Sequence, residues 1–350
     1  MQSGPEDIAA AVTQLRSGGL VAFPTETVYG LGALALDAHA VAEVFRAKGR
    51  PATNPLIVHV VDDAMAQRVC AEWPGVATKL AAEFWPGPLT LVLPKAADLP
   101  SIVTANGPTV AVRAPSHPLT LALLEALGEP LVGPSANRSG RVSPTCAAHV
   151  RESFPDDTVL ILDGGPCVGG IESTVVDLTC EPLCVLRPGL ISAAQIAAAI
   201  GRDVVSGEPR SDTTDTPTRA PARSPGHIGT HYAPVALARL VDSAELDRAL
   251  RTLSKDEHAA VLTAQAARVQ PPHRAIEMPR DARAYAARLY AALREADALD
   301  PSIVLIERPW PNETPTAPPT APPTAPPTAP PTGVWAAVAD RLTRATAQTP

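Results

Sequence analysis

The first 200 residues alternate short apolar runs with amphipathic stretches, the pattern of strands interleaved with helices. It predicts strands at 20–23, 56–61, 89–93, 109–113, 130–133, 159–162, 174–178 and 183–187. Helical spacing of Ile8, Val12 and Leu15 predicts an opening helix that Gly18 and Gly19 end. Further helices fit 37–47, 76–84, 117–127 and 192–200, with Asp37 and Ser192 as N-caps. Several strands follow one another with no helix between them. The expected fold is therefore α/β with a twisted mixed sheet and flanking helices, not a strict βαβ repeat.

Residues 202–230 carry few large apolar residues among many Thr, Pro, Arg and Asp, the composition of a linker. Periodicity then resumes. Strands fit 235–241, 259–263, 274–278 and 302–307, and helices fit 243–253, 281–296 and 334–346. Tyr285, Leu289 and Ala292 line one face of the long helix. This alternation predicts a smaller, mostly parallel Rossmann-like α/β unit. The expected organisation is a first domain over 1–205, a linker or lid over 206–234 and a second domain over 235–350. An APPT repeat within 314–332 cannot form a core and reads as an extended surface insertion.

Composition narrows the function classes. A length of 350 residues allows two cores, and 45% hydrophobic with 19% charged residues is ordinary for a globular protein. The net charge of −7 supplies no global basic field for nucleic acid. Five cysteines, an odd number with no CxxC pair, suit thiols in a reducing cytosol. The N-terminus lacks a basic region followed by an apolar core, and no apolar run is long enough to span a bilayer. A cytoplasmic protein with no membrane partner is expected.

The candidate chemistry lies at element ends. "FPTETVYGLG" (23–32) follows an apolar strand with more gripping side chains than a turn needs. "GLGALA" matches G-x-G-x-x-A, but "PTETVY" separates it from the preceding strand, so it is not read as a dinucleotide loop. Lys48 and Arg50 end a helix, and Asn54 leads into the strand that carries His59. Lys48 alone could simply answer the helix dipole. Arg113 ends an apolar strand and needs either an internal carboxylate or an anionic ligand. Ser135, Asn137 and Ser143 sit in a small-residue loop suited to phosphate oxygens, Ser173 enters a strand and Arg187 leaves one. Cations gathered at the loop ends of one sheet suit a polyanion such as a nucleoside triphosphate.

Six segments in order, "FPTETVYGLG", "KGRPATNPL", "WPGPLTLVL", "VAVRAPSHP", "PSANRSG" and "ESTVVDL…VLRPG", resemble the YrdC-like threonylcarbamoyl-AMP synthases over roughly residues 5–200. "SPGHIGTHYAP" (224–234) is similar to the linker of the two-domain members, whose second domain is Rossmann-like. The resemblance implies a nucleotidyltransferase that makes threonylcarbamoyl-AMP and pyrophosphate from L-threonine, bicarbonate and ATP. The product would serve threonylcarbamoyladenosine modification of tRNA, passed to tRNA-modifying proteins with no direct tRNA binding required. It implies Thr27, His59, Arg113 and Ser173 near threonine, with Thr25 and Glu26 shaping the turn and its glycines giving backbone freedom. Arg50, Asn54, Thr109, Ser135, Asn137, Ser143 and Arg187 are implied around ATP, Lys48 and Arg50 in catalysis, and His231 and Tyr232 in the lid. Mg2+ would arrive with ATP, held by phosphate oxygens and water, since no carboxylate cluster forms a cage. The runner-up reading is a double-stranded-RNA-binding or ribosome-maturation module, which the acidic net charge disfavours.

Overall fold

The computed structural model describes residues 3–156, 158–207, 232–310 and 331–347. Most of the expected linker, His231 included, and the APPT tract through residue 330 lie outside the described residues.

The first domain is built on one mixed sheet. Its strands are β1 (Leu20–Phe23), β2 (Gly30–Leu34), β3 (Ile57–His59), β4 (Leu89–Pro94) and β5 (Thr109–Arg113). They continue with β6 (Leu131–Val132), β7 (Val159–Ile161), β8 (Thr174–Asp177), β9 (Leu183–Arg187) and β10 (Val204–Ser206). The order across the sheet is β10-β9-β8-β4-β5-β3-β6-β2-β1-β7. Helices α1 (Pro5–Arg16), α2 (Ala38–Lys48), α3 (Asp63–Ala66) and α4 (Gly75–Phe84) come first. Next come α5 (Pro118–Leu127), α6 (Ala147–Ser153) and α7 (Ala193–Ile200). Asp37 and Ser192 cap α2 and α7 through their side chains, as the sequence predicts.

Strand alternation decides where a site can form. Val58, Val110 and Val112 point to one face, where they join Val41, Val44 and Leu80 from the helices in the large core. Phe23 and Leu131 point to the other face, beneath Leu15, Leu123 and Leu124 of α1 and α5. Ile57 and Ala111 share a small apolar cluster with Val92, Val175 and Leu186. His59 and Arg113, paired across β3 and β5, lie between that cluster and the helix-covered region.

Two strands escape sequence reading. β2 falls in the segment expected to be a glycine-eased turn, because "GLGAL" has low strand propensity. It forms because it pairs antiparallel with β1, Phe23 opposite Gly30. The Phe23 ring lies across it: a Cβ on Gly30 or Gly32 would come within 2.7 or 2.9 Å of ring carbons. Gly30 does line the cavity, but both glycines make room for a ring and neither has a positive φ, which corrects the expectation of backbone freedom. β10 lies where linker composition begins and is recruited by parallel pairing with β9.

The second domain has four parallel strands, β11 (Ala238–Val241), β12 (Ala259–Thr263), β13 (Arg274–Glu277) and β14 (Ile303–Glu307), ordered β11-β14-β12-β13. Helices α8 (Leu246–Arg251), α9 (Ala282–Ala298) and α10 (Val334–Ala345) accompany them. Tyr285, Leu289 and Leu293 of α9 are buried with Val338 and Leu342 of α10. The same cluster contains Ile171 and Leu190 of the first domain, so the two domains share a core. At the junction Gly170 has φ +71°, and a Cβ there would lie 2.4 Å from the Cα of Ala287 on α9. Gly170→Ala should therefore destabilise by about 1–3 kcal/mol, through left-handed strain and a backbone clash. A thermal melt of that variant checks this, the expected outcome being a lower Tm.

Candidate active site

A cavity opens on the β3–β5 face. Its polar walls are Thr27, Arg50, His59, Arg113, Ser135 and Arg187 with Thr25, Glu172, Ser173 and Tyr232, and apolar residues and glycines such as Ile57 and Gly30 fill in between them. The site is thus assembled from the β1–β2 turn, the ends of β3, β5 and β9, and the loop before β8.

The Arg113 guanidinium is buried and held on three sides. Nε donates to the Gly87 carbonyl at 3.1 Å, Nη1 to Thr27 Oγ1 at 3.0 Å and Nη2 to Glu26 Oε1 at 2.6 Å. The other Glu26 oxygen accepts from the Ser116 amide at 3.0 Å. Of the five N–H donors on a guanidinium, two remain for a ligand. Thr25 Oγ1 and Thr27 Oγ1 lie 2.7 Å apart, so the turn presents Thr27 as part of a fixed network. Glu26 shapes the turn as the sequence suggests, and it also serves as the internal carboxylate for Arg113.

His59 is buried edge-on against Phe23, with ring centroids 5.3 Å apart. Its Nδ1 finds no partner among the described residues and faces Gly133, where a Cβ would come within 2.6 Å. Burial, then the nearby Arg113 charge, lowers its pKa to about 3, so the ring is neutral at physiological pH. Tyr29 is fully buried and donates to the Gly165 carbonyl at 2.8 Å, so it packs in the core and does not wall the pocket.

The opposite wall is cationic. Arg50 donates from Nε to the Asn54 carbonyl at 3.1 Å and from Nη2 to that of Pro55 at 2.8 Å. Arg187 donates from Nε to the Ser173 carbonyl and from Nη2 to Ser173 Oγ, both at 3.1 Å. Lys48 does not reach the cavity surface. Its ammonium donates to the carbonyls of Ser135 and Asn137, at 2.5 and 2.6 Å, and fastens that turn to the end of α2. Burial, then Arg50 and Arg138, pushes its pKa well down. Burial also lowers Arg50, to about 10. Among the described residues neither Lys48 nor Arg50 forms an ion pair with a carboxylate.

The remaining sequence candidates are more dispersed. Asn54 and Asn137 are buried beside these cations, and their Oδ1 atoms find no partner among the described residues. Ser143 stands behind the wall and donates to Glu172 Oε1 at 2.7 Å. Thr109 opens β5 at the end away from Arg113, on the same face as Arg113 but outside the cavity lining. Tyr232 lines the cavity, while His231 lies outside the described residues. Glu172, adjacent to Ser173 in "ESTVVDL", is the lining residue that sequence reasoning missed. Its signal was a carboxylate inside an otherwise apolar, hydroxyl-bearing strand entry.

Two family models cover the chain in tandem, one described as "Telomere recombination" over residues 13–189 and one as "Threonylcarbamoyl-AMP synthase, C-terminal domain" over 191–347. The chain belongs to the two-domain threonylcarbamoyl-AMP synthase family. A family member from Pyrococcus abyssi is 47% identical over 235 residues, 67% of this chain and 68% of that protein. Another, from Bacillus subtilis, is 46% identical over 237 residues, 67% of each. The crystal structure of Pyrococcus abyssi Sua5 complexed with L-threonine superposes with a TM-score of 0.83 at 35% identity. That match covers 99% of this chain and 96% of the other, so the family likeness extends through both domains and their arrangement.

The depressed pKa of His59 has a pH consequence. Between its ordinary 6.5 and about 3 the unfolded chain takes up a proton that the folded chain refuses. His59 therefore withdraws stability as pH falls through that window. NMR of the histidine ring protons should show one ring with no titration between about pH 4 and 8, and that signal should vanish in His59→Gln.

Proposed function

We propose that this chain condenses L-threonine, bicarbonate and ATP into threonylcarbamoyl-AMP, releasing pyrophosphate, with the cavity above as the catalytic site. The observation that carries the reading is an imbalance of charge. One wall holds Arg113, already matched to a carboxylate and a hydroxyl, and the other holds Arg50, a buried cation supplied with two backbone carbonyls. The first suits a small zwitterion and the second a polyanion.

On this reading Arg113 turns its two remaining N–H groups to the threonine carboxylate, and Glu26 and Thr27 set its plane. His59 stays neutral and borders the amine and side-chain hydroxyl of threonine, with Ser173 opposite. The threonine amine and bicarbonate join with loss of water, the amine proton and the bicarbonate hydroxyl leaving together, and an oxygen of the resulting N-carboxylate attacks the α-phosphorus of ATP. The bond from that phosphorus to the β-phosphate bridging oxygen breaks, and pyrophosphate leaves with the electron pair. No protein nucleophile is needed, and catalysis rests on placement and fixed positive charge.

Arg50, Arg187 and Ser135 take the phosphates, with Asn54 and Asn137 beside them, while Ser143 acts through Glu172 and Thr109 stands outside the cavity and takes no part. Lys48 acts on the phosphates through the Ser135–Asn137 turn that it fastens. Tyr232 borders the nucleotide from the cavity wall. Among the described residues no three His, Cys, Asp or Glu side chains gather where they could hold a metal ion. We assign Mg2+ to the incoming ATP, on phosphate oxygens and water. No described helix is long and apolar enough to cross a membrane, and all five cysteines are free. A cytoplasmic enzyme that passes its product to tRNA-modifying proteins is consistent with both.

Pyrophosphate release with ATP, bicarbonate and single amino acids tests the function. Threonine should stimulate it strongly and serine far less; equal rates would sink the reading. Arg113→Ala should raise KM for threonine by about 100-fold, or roughly 3 kcal/mol, with KM for ATP nearly unchanged. Arg50→Met should do the reverse. It should also abolish the rise in Tm that saturating ATP gives the parent, a rise worth about 2.7 kcal/mol at a hundredfold excess over Kd.

A further inference from the structure

The Glu172 carboxylate is held mainly from the second domain. Its Oε2 accepts from Arg341 Nε at 2.7 Å and from the Tyr290 hydroxyl at 2.8 Å, while Oε1 accepts from Ser143 Oγ at 2.7 Å. Arg341 belongs to α10 and is wholly buried, and Tyr290 belongs to α9. The same guanidinium donates from Nη2 to the carbonyl of Pro188, next to Arg187, at 3.2 Å. It also lies over the Tyr232 ring, 5.3 Å from the centroid, and Tyr232 stacks on Tyr290 at 5.6 Å. One arginine of the second domain thus touches two lining residues, Glu172 and Tyr232, and the backbone next to a third, Arg187.

We propose that Arg341, with Tyr290, is a positioning residue for the ATP side of the active site, setting Glu172 so that Arg187 keeps its place on Ser173. This inference rests on the reading of Arg187 as a nucleotide contact. Its physical basis is competition between two cations for one buried carboxylate. Burial pushes the Glu172 carboxyl up, but Arg341 first and Arg187 second outweigh that and hold it ionised. With Arg341 in place the Glu172 charge is satisfied from the second domain, and Arg187 bonds the carbonyl and hydroxyl oxygens of Ser173. Without it the carboxylate keeps two neutral donors, and Arg187 is the other cation whose charge acts on it. Arg187 would swing toward Glu172, away from the phosphates. Arg341 also donates from Nη1 to Asp340 Oδ2 at 2.5 Å, but Asp340 holds Arg344 Nε at 3.0 Å as well, so it stays paired when Arg341 is replaced.

The test is steady-state pyrophosphate release by the full chain. Arg341→Met should raise KM for ATP by about tenfold or more while KM for threonine moves less than about twofold. Adding Glu172→Gln should bring KM for ATP back to within about threefold of the parent, because it removes the uncompensated charge. Tyr290→Phe keeps the ring stack and removes one donor, and should raise KM for ATP by about two- to fivefold. An unchanged KM for ATP in Arg341→Met, parallel rises for both substrates, or failure of Glu172→Gln to restore it would each overturn the proposal. If Arg341→Met does not fold, Tyr290→Phe and the double variant decide, and a parental KM for ATP in Tyr290→Phe overturns it. A parent chain that releases no threonine-dependent pyrophosphate would refute the functional reading instead.

Discussion

An ionised carboxylate taken out of water costs several kcal/mol unless charge and donors meet it where it lies. Glu172 is met by a hydroxyl of its own domain and by a phenol and a guanidinium of the other. That requirement ties the two sheets together at the wall of the cavity. The shared apolar core around Ile171, Leu190 and Leu289 supplies the bulk of the attraction between domains. It is non-directional, however, and does not by itself fix the angle at which α10 meets the first domain. The directional bonds to Glu172 and Pro188 do.

The same accounting of buried charge separates the two halves of the site. Arg113 is neutralised by Glu26 and oriented by Thr27 before any ligand arrives, which prepares it for one geometry. Arg50 and Lys48 are supplied with backbone carbonyls and carry their charge into low dielectric without a carboxylate among the described residues. Burial lowers the pKa of both, so an arriving polyanion relieves a cost the folded protein already carries. A cation kept short of a counter-charge is a costly way to build a core and an effective way to build a phosphate site. The cavity thus sets a cation paired with a carboxylate, Arg113, against one held by backbone carbonyls, Arg50.

The sheet was legible wherever a strand carried its own apolar pattern. The predicted strands around Val21, Val58, Leu91, Val112, Val176 and Val185 all occur, because burial on both faces leaves continuous apolar runs. β2 was not legible, since its stability comes from pairing with β1 and from the Phe23 ring over its glycines. Nor was β10, which has linker composition and is a strand only because β9 offers an open edge. The candidate side chains were mostly visible because they stand at element ends with few structural reasons to be there.

The sequence by itself determined the two α/β domains, the Thr27–Arg113–His59 group and the cluster of cations, since each is written in local pattern and residue type. Tertiary structure alone decided their charge balance. Glu26 is close to Arg113 only after β1 and β5 are in one sheet, so whether Arg113 was already paired could not be read along the chain. Lys48 was moved from the cavity surface to the turn behind it, because the carbonyls it reaches lie 87 and 89 residues away. Glu172 and Arg341, 169 residues apart, are unremarkable in sequence and become a pair only when the second domain docks. Electrostatic partnership depends on distance in space, and the amino-acid pattern encodes that distance only through the fold.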